Sequence, residues 1–346
     1  MVAYTIGLAS LKNFAPDDLG WLNVYLFLVG IIVLPKFCFA LCSALGLGWC
    51  HLRHVNRNYG NVVGLIAVLF VVYVVVYGST AGFRKLEVRH VDLYFADLPK
   101  VFEGYRIVQF SDVHVGTYTG SRQAILQRAI DTINAQRADM IVFTGDLQNM
   151  QPSEIYAHRS LLSSIKASDG VYSILGNHDY AQYIRDNQRK RAANEHETQS
   201  LERQLGWTLL MNEHRIVRRG NDSIVVAGEE NDGKPPFPQR SDVAKTLHGV
   251  GKGAFIVMLQ HDATGWRRHI LPQSKAQLTL SGHTHNAQFS IFGWSPSQWI
   301  YRESCGLYVE GRRMLYVSAG LGGFVPFRFG ASGEIVVITL HKSKDK

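Results

Sequence analysis

The chain has 346 residues, of which 46% are hydrophobic, and a formal net charge of +8. This excludes a chain too poor in apolar residues to fold, and leaves room for one sizeable core plus an additional segment. Three of its four cysteines, Cys38, Cys42 and Cys50, fall in one apolar region and Cys305 stands apart, which excludes a disulfide framework; the basic charge suits anionic lipid, anionic substrate or nucleic acid equally.

Residues 1–80 read as a membrane-anchoring segment with about two transmembrane helices. Trp21 to Cys50 is apolar apart from Asn23 and Lys36, and Val62 to Tyr77 carries no charge. Spanning a bilayer takes roughly 17–25 mostly apolar residues, and both runs qualify with their flanks. Trp21, Tyr25, Trp49, Tyr73 and Tyr77 stand where interfacial aromatics are expected. Pro35 and Lys36 interrupt the first run, so a kink or a snorkelling lysine is expected there. A cleaved signal peptide fits poorly, because there are two long runs and no short basic leader. A buried hairpin fits poorly too, because Val62–Tyr77 is apolar on every face. The expected location is therefore the cell membrane, as a multi-pass protein. The Lys and Arg distribution leaves the side of the catalytic domain open.

Residues 81–100 read as a linker and 101–346 as a catalytic domain. Short β-branched runs bounded by turn residues predict strands at Tyr105–Phe110, Asp139–Thr144, Val171–Leu175 and Ser223–Ala227. Others are predicted at Ala254–Leu259, Gln277–Leu280, Leu315–Ser318 and Glu334–Leu340. Between the first two, Ser121–Ala135 predicts a helix capped by Ser121, with Ile125, Ala129, Ile130 and Ile133 on its buried face. Asp186–Gln204 is highly charged and reads as a solvated helix or lid. Strands alternating with helices indicate an α/β domain, and the strand-rich second half calls for a mixed sheet or a second sheet.

Nearly every predicted strand runs into a metal-capable side chain. The successive endings are Asp112-Val113-His114, Gly145-Asp146, Gly176-Asn177-His178-Asp179, His261-Asp262 and Gly282-His283-Thr284-His285. The carboxyl ends of strands are where such sheets deliver functional groups. Asp112 and His114 alternate by two, as do His283 and His285, so each pair can face one site. Two divalent ions about 3.5–4 Å apart can clamp the attacking and leaving oxygens of a phosphoryl group. Holding them requires a bridging carboxylate and mixed imidazole and oxygen ligands, which suit zinc, manganese or iron better than magnesium. Gly145, Gly176 and Gly282 allow close backbone approach. A single such motif is commonplace; five in order, each behind a strand, form a constellation.

These five motifs resemble the calcineurin-like metallophosphoesterase family over residues 100 to 340. The sequence is most similar to its membrane-associated bacterial branch of phosphodiesterases and UDP-2,3-diacylglucosamine pyrophosphatases. The resemblance implies two stacked mixed β-sheets flanked by helices. It implies a first metal on Asp112, His114, Asp146 and His285, and a second on Asn177, His261 and His283, with Asp146 bridging. The cofactors would be two divalent ions (manganese, iron or zinc). His178 would act on the leaving oxygen as a catalytic residue, and Asp179 would orient its neighbours. Relatives often have two glycines and a glutamine where this chain has Asn286-Ala287-Gln288, which costs no ligand but alters the turn. Arg328, behind a Gly320–Gly323 turn, is either a phosphate contact or a surface arginine. The implied partners are a membrane and a phosphate-containing small molecule or lipid such as UDP-2,3-diacylglucosamine, with a general phosphodiesterase or phosphomonoesterase on soluble substrates as the alternative. No basic run with interleaved aromatics supports nucleic acid, and the oligomeric state is left open.

Overall fold

A computed structural model describes residues 1–11, 19–181, 183–184, 186–233 and 239–343. The chain divides into two compact units. One holds Met1–Arg84 with Val325–Phe329, and the other holds Lys85–Phe324 with Gly330–Lys346.

In the first unit, two helical runs are long and apolar enough to cross a membrane: Leu19–Arg53, of 35 residues, and Gly60–Gly82, of 23. Only 6% and 17% of their most apolar windows are buried within the chain, so neither is the core helix of a soluble domain. Pro35 does not break the first run. A π-turn at Val29–Val33 precedes it and absorbs the missing N–H. Lys36 stays exposed. The first run ends at His54, in left-handed conformation, and Asn58 Nδ2 donates to Ser43 O at 3.0 Å. The runs meet through small residues: a Cβ on Gly46 would come within 2.7 Å of the Gly60 backbone. With no side chain between them, the two backbones can approach this closely. In the same unit Arg328 N–H donates to Gly78 O at 2.9 Å.

Among the described residues the second unit contains twelve strands: β1 Leu86–Phe95, β2 Tyr105–Phe110, β3 Met140–Phe143, β4 Val171–Ser173, β5 Thr208–Leu209, β6 Glu213–Arg219, β7 Asp222–Gly228, β8 Phe255–Asp262, β9 Leu278–Gly282, β10 Gly306–Glu310, β11 Arg313–Val317 and β12 Gly333–Lys342. They form two six-stranded mixed sheets, ordered β1-β12-β2-β3-β4-β5 and β10-β11-β9-β8-β7-β6. In each sheet a parallel block carries the site: β2, β3 and β4 in one, and β7, β8 and β9 in the other. Ile107, Met140, Val142, Val336 and Ile338 of the first sheet share one buried cluster with Val226, Val257, Leu278 and Leu280 of the second. That cluster is the filling of a sandwich.

Every strand predicted from an apolar run is present. The stretch 81–100, read as linker, instead carries β1, which pairs with β12 from Leu86↔Gly333 to Phe95↔Lys342. Its charged residues hid it, yet they are used: Arg89 Nε pairs with Glu334 at 2.8 Å. The helix after β2 spans Gln123–Ala135 and begins behind Arg122 without a side-chain cap. Ser121 lies in a 3-10 turn, Gly120–Arg122, rather than at the cap. Leu126, not Ile125, completes the buried face with Ala129, Ile130 and Ile133. The charged stretch forms a helix, Gln188–Gln204, capped by Asn187, whose side chain accepts from Lys190 N–H.

Candidate metal centre

The carboxyl ends of β2, β3, β4, β8 and β9 converge. Asp112, His114, Asp146 and His285 bring ligand atoms within 4.8 Å of one another, and Asp146, His261 and His283 form a second such group. The two groups share Asp146. Its Oδ2 lies 3.2 Å from His261 Nε2 and 3.7 Å from His114 Nε2, and so faces a histidine of each group. His285 Nε2 lies 3.3 Å from both Asp112 Oδ1 and His114 Nε2. Asn177 Oδ1 joins the second group, 2.8 Å from His283 Nδ1 and 3.2 Å from His261 Nε2.

The unused ring nitrogens explain these orientations. His261 Nδ1 donates to Thr144 O at 2.7 Å and His114 Nδ1 faces Gln148 O at 3.2 Å, which leaves each Nε2 lone pair for the centre. His283 is turned the other way. Its Nε2 meets Tyr301 Oη at 3.1 Å and lies 3.9 Å from Asp262 Oδ2, so Nδ1 faces inward. Asn177 Nδ2 donates to Tyr183 Oη at 2.7 Å, which fixes the amide with its oxygen toward the histidines. Tethering the outer atom of each ligand in this way is how proteins aim groups at a cation.

Backbone strain concentrates here. Asp112, His114, Asp146, His283 and His285 all have φ between 51° and 74°, in the left-handed region. Each such residue costs of order 1–3 kcal/mol and persists only where surrounding structure over-determines it. Glycines permit the crowding. A Cβ on Gly145 would reach within 2.7 Å of His261 Nδ1, and one on Gly282 would collide with Asp112.

The bare donor set is electrostatically frustrated. Burial drives His114 down to about 3, and His178 adds to the effect. Burial opposes ionisation of Asp146, but His261, His178 and His114 outweigh it and hold its carboxyl well below the usual range. Burial lifts Asp112 to about 6, reinforced by Asp146. For His261 the neighbouring Asp146 and Asp112 overcome burial and raise it to about 10. Buried carboxylates facing imidazoles and an amide oxygen are the donors that divalent cations of intermediate softness take, and a cation would displace the proton that the two carboxylates hold on His261. The residues present therefore fit two such ions, with Asp146 common to both.

His178 belongs to neither group. Its Nδ1 donates to Asn149 O at 2.6 Å and its ring stacks on Tyr183 with centroids 4.3 Å apart. Phe324 lies 5.8 Å from it. Nε2 is the ring nitrogen outside this hydrogen bond. Asp179 is turned from the centre. Its Oδ2 accepts from Asp146 N–H and Gly176 N–H, both at 2.8 Å, and its Oδ1 from Leu147 N–H at 3.0 Å. It ties together the backbones that carry Asp146 and Asn177. The Gly320–Gly323 turn does return to the site, with Leu321 N–H on Ser111 O and Gly322 N–H on Asp112 O. Arg328 is buried and grouped with the helical unit, so it is no surface arginine. Asn149, Tyr183, Tyr301 and Phe324 escaped sequence reasoning. Tyr183 alone carried a signal, its place close behind the Asn-His-Asp run.

Comparison with known proteins agrees with this geometry. The family model for calcineurin-like phosphoesterases matches residues 105–287. A zebrafish (Danio rerio) "transmembrane protein with metallophosphoesterase domain" is 29% identical over 290 residues, 81% of this chain. The match spans only 63% of that relative's own length. The metallophosphoesterase YkuE of Bacillus subtilis is 30% identical over 71% of this chain and 82% of its own. The UDP-2,3-diacylglucosamine pyrophosphatase LpxG of Chlamydia trachomatis is 28% identical over 70% of this chain and 86% of its own. The chain belongs to the calcineurin-like phosphoesterase family and is a hydrolase of phosphoester bonds.

Proposed function

We propose that this protein hydrolyses a phosphodiester or pyrophosphate bond in a membrane-associated or lipid-linked substrate, at a centre of two divalent ions. The carrying observation is Asp146 Oδ2, placed between histidines of two separate ligand groups. A mononuclear site has no use for a shared carboxylate or for Asn177. Asp112, His114, Asp146 and His285 would hold one ion, and Asp146, Asn177, His261 and His283 the other. Manganese, iron or zinc suits these donors. The bound ions supply Lewis acidity, which lowers the pKa of water and neutralises charge on the phosphoryl oxygens.

The chain's own groups do the rest. His178 delivers a proton from Nε2 to the departing oxygen while Asn149 O holds Nδ1–H, so the ring cannot swing during transfer. Such acid assistance is typically worth about 10²–10⁴-fold. Tyr183 and Phe324 pack against that ring. Asp179 keeps the Asp146 and Gly176 backbones in register.

The lipid-linked substrate rests on two spanning-length helices and on transmembrane and lipid-nucleotide-cleaving relatives. The same features support placing the protein in the cell membrane as a multi-pass chain. The test is an assay of the full chain in detergent with manganese on bis-p-nitrophenyl phosphate, the monoester, and UDP-2,3-diacylglucosamine. Turnover of the lipid nucleotide well above the chromogenic diester supports the reading. Turnover of the soluble esters alone overturns its lipid part.

A further inference from the structure

The segment after the last metal-ligand motif is built at odds with water. Ile291 and Trp294 exchange backbone hydrogen bonds at 2.9 and 3.0 Å around a two-residue turn, Phe292-Gly293. Both turn residues have positive φ, 49° and 82°. Such a turn normally takes Asn, Asp or Gly at its first central position, because a bulky side chain is strained there. This chain puts a phenylalanine there and leaves it fully exposed. A short helix, Ser297–Ile300, follows with Trp299 at 78% and Ile300 at 71% exposure. Trp294 meets Trp299 edge-on with centroids 4.9 Å apart, so two indoles form one surface feature. Four large apolar side chains thus stand out within nine residues, beyond the scatter of single exposed hydrophobics on ordinary surfaces.

The scaffold beneath them is firmly tied. Ser295 Oγ donates to Asn286 O at 2.8 Å and pairs with Ser297 Oγ at 2.9 Å. Thr284 Oγ1 donates to Ser304 O. The aromatics are therefore presented on a fixed platform. From Asn286 to Arg302 the sequence holds no acidic residue, and its one charged side chain, Arg302, is 75% exposed. The apolar wedge and paired tryptophans, with no acidic residue among them, match a lipid interface, where indoles settle at headgroup depth. The tether is short as well. Three residues separate Gly82, the end of the second spanning-length helix, from Leu86, the start of β1.

We propose that the Phe292–Ile300 loop is a membrane-docking element that inserts into a bilayer face. The proposal rests on the membrane reading above but not on the identity of the substrate. It also gives the site a link to the bilayer: Tyr301, which follows Ile300, holds His283 Nε2.

The chain has six tryptophans, and Trp207 and Trp266 are buried. In a Trp21→Phe/Trp49→Phe background the accessible indoles are Trp294 and Trp299. The full chain is reconstituted in phosphatidylcholine vesicles containing phosphatidylglycerol, with or without dibrominated phosphatidylcholine. The expected result is that bromine removes on the order of half of the loop's indole emission, because interfacial indoles lie within its reach. A Phe292→Asp/Ile300→Asp pair in that background should abolish the quenching while leaving bis-p-nitrophenyl phosphate turnover and metal content unchanged, as neither side chain touches the centre. Quenching in the wild type but not in the background would overturn the loop proposal and leave the membrane reading intact, since Trp21 and Trp49 report on the helices. No quenching in either would overturn both. An unquenched loop with a Trp299-dependent dimer in detergent would show a second copy as the occupant, and would also overturn the proposal.

Discussion

At the scale of single residues, the proposed mechanism separates groups that would hold cations from groups that would act on the substrate. Asp146 is common to both ligand sets, and its environment favours the anion. Asp146→Asn keeps the shape but removes the charge that lets two cations sit close together. Metal analysis of that variant should find fewer than two ions per chain, and turnover of bis-p-nitrophenyl phosphate should nearly vanish. His178 lies outside both ligand groups and meets Asp146 Oδ1 through its backbone N–H, at 2.8 Å, a bond that alanine keeps, so His178→Ala should retain both ions while kcat falls by about 10²–10⁴. Two ions and near-normal turnover in the first variant, or lost metal in the second, would reverse these roles. The seven candidate ligands were legible because each stands directly behind an apolar strand pattern, and the structure draws all seven together. Their supports were not. Tyr301 approaches His283 from eighteen residues away, across an irregular loop, and Asn149 serves through its carbonyl, which every residue has.

At the scale of elements, the strands that were readable are those buried on both faces. β3 is Met-Ile-Val-Phe and β8 opens on Phe-Ile-Val-Met-Leu, as parallel strands covered on both sides must be, and β2 has Ile107 and Val108 at its centre. β1 and β6 are edge strands with charged residues, and charge on an edge imitates a loop in sequence while blunting aggregation in the fold. The elements are also stitched by polar clusters that periodicity cannot reveal. Behind β7, Glu229 Oε2 accepts from Gln260 Nε2 of β8 at 3.0 Å and pairs with His269 Nε2 at 3.2 Å. His269 lies in the π-turn Trp266–Ile270, and its Nδ1 pairs with Asp232 at 3.1 Å. Burial alone would lower the imidazole, but the hydrogen bonds it donates to Asp232 and Glu229 prevail and raise it to about 9. A histidine raised in the folded state stabilises most below its unfolded value near 6.5, and that contribution fades as pH rises through about 9. The ceiling on this contribution is about 3 kcal/mol. Thermal midpoints of wild type and His269→Gln, compared from pH 6 to 10, should differ most at pH 6 and converge above pH 9. A gap that is constant or widens with pH would refute the charged pair.

For the whole molecule, one unit carries all the candidate ligands and the other carries both spanning-length helices. That partition decides where bound metal acts. In the two-sheet unit, metal-free folding must hold buried carboxylates beside one another and five ligands in left-handed backbone, all of it unfavourable until cations arrive. Binding to the folded form alone stabilises it, by about 2.7 kcal/mol at a hundredfold excess over Kd. For a unit of this size that corresponds to a rise of roughly 5–10 °C in its midpoint. The helical unit offers no such donor group among its described residues, so it should be indifferent to metal. Hydrogen exchange of the full chain in detergent, with manganese or after chelation, can read the two separately. Peptides covering the ends of β2, β3, β8 and β9 should gain protection on metal addition, and those within Gly60–Tyr77 should not change. Asp146→Asn should erase most of the gain. Protection that rose equally in both units, or appeared only in the helices, would mean that the metal is not bound where the donors converge.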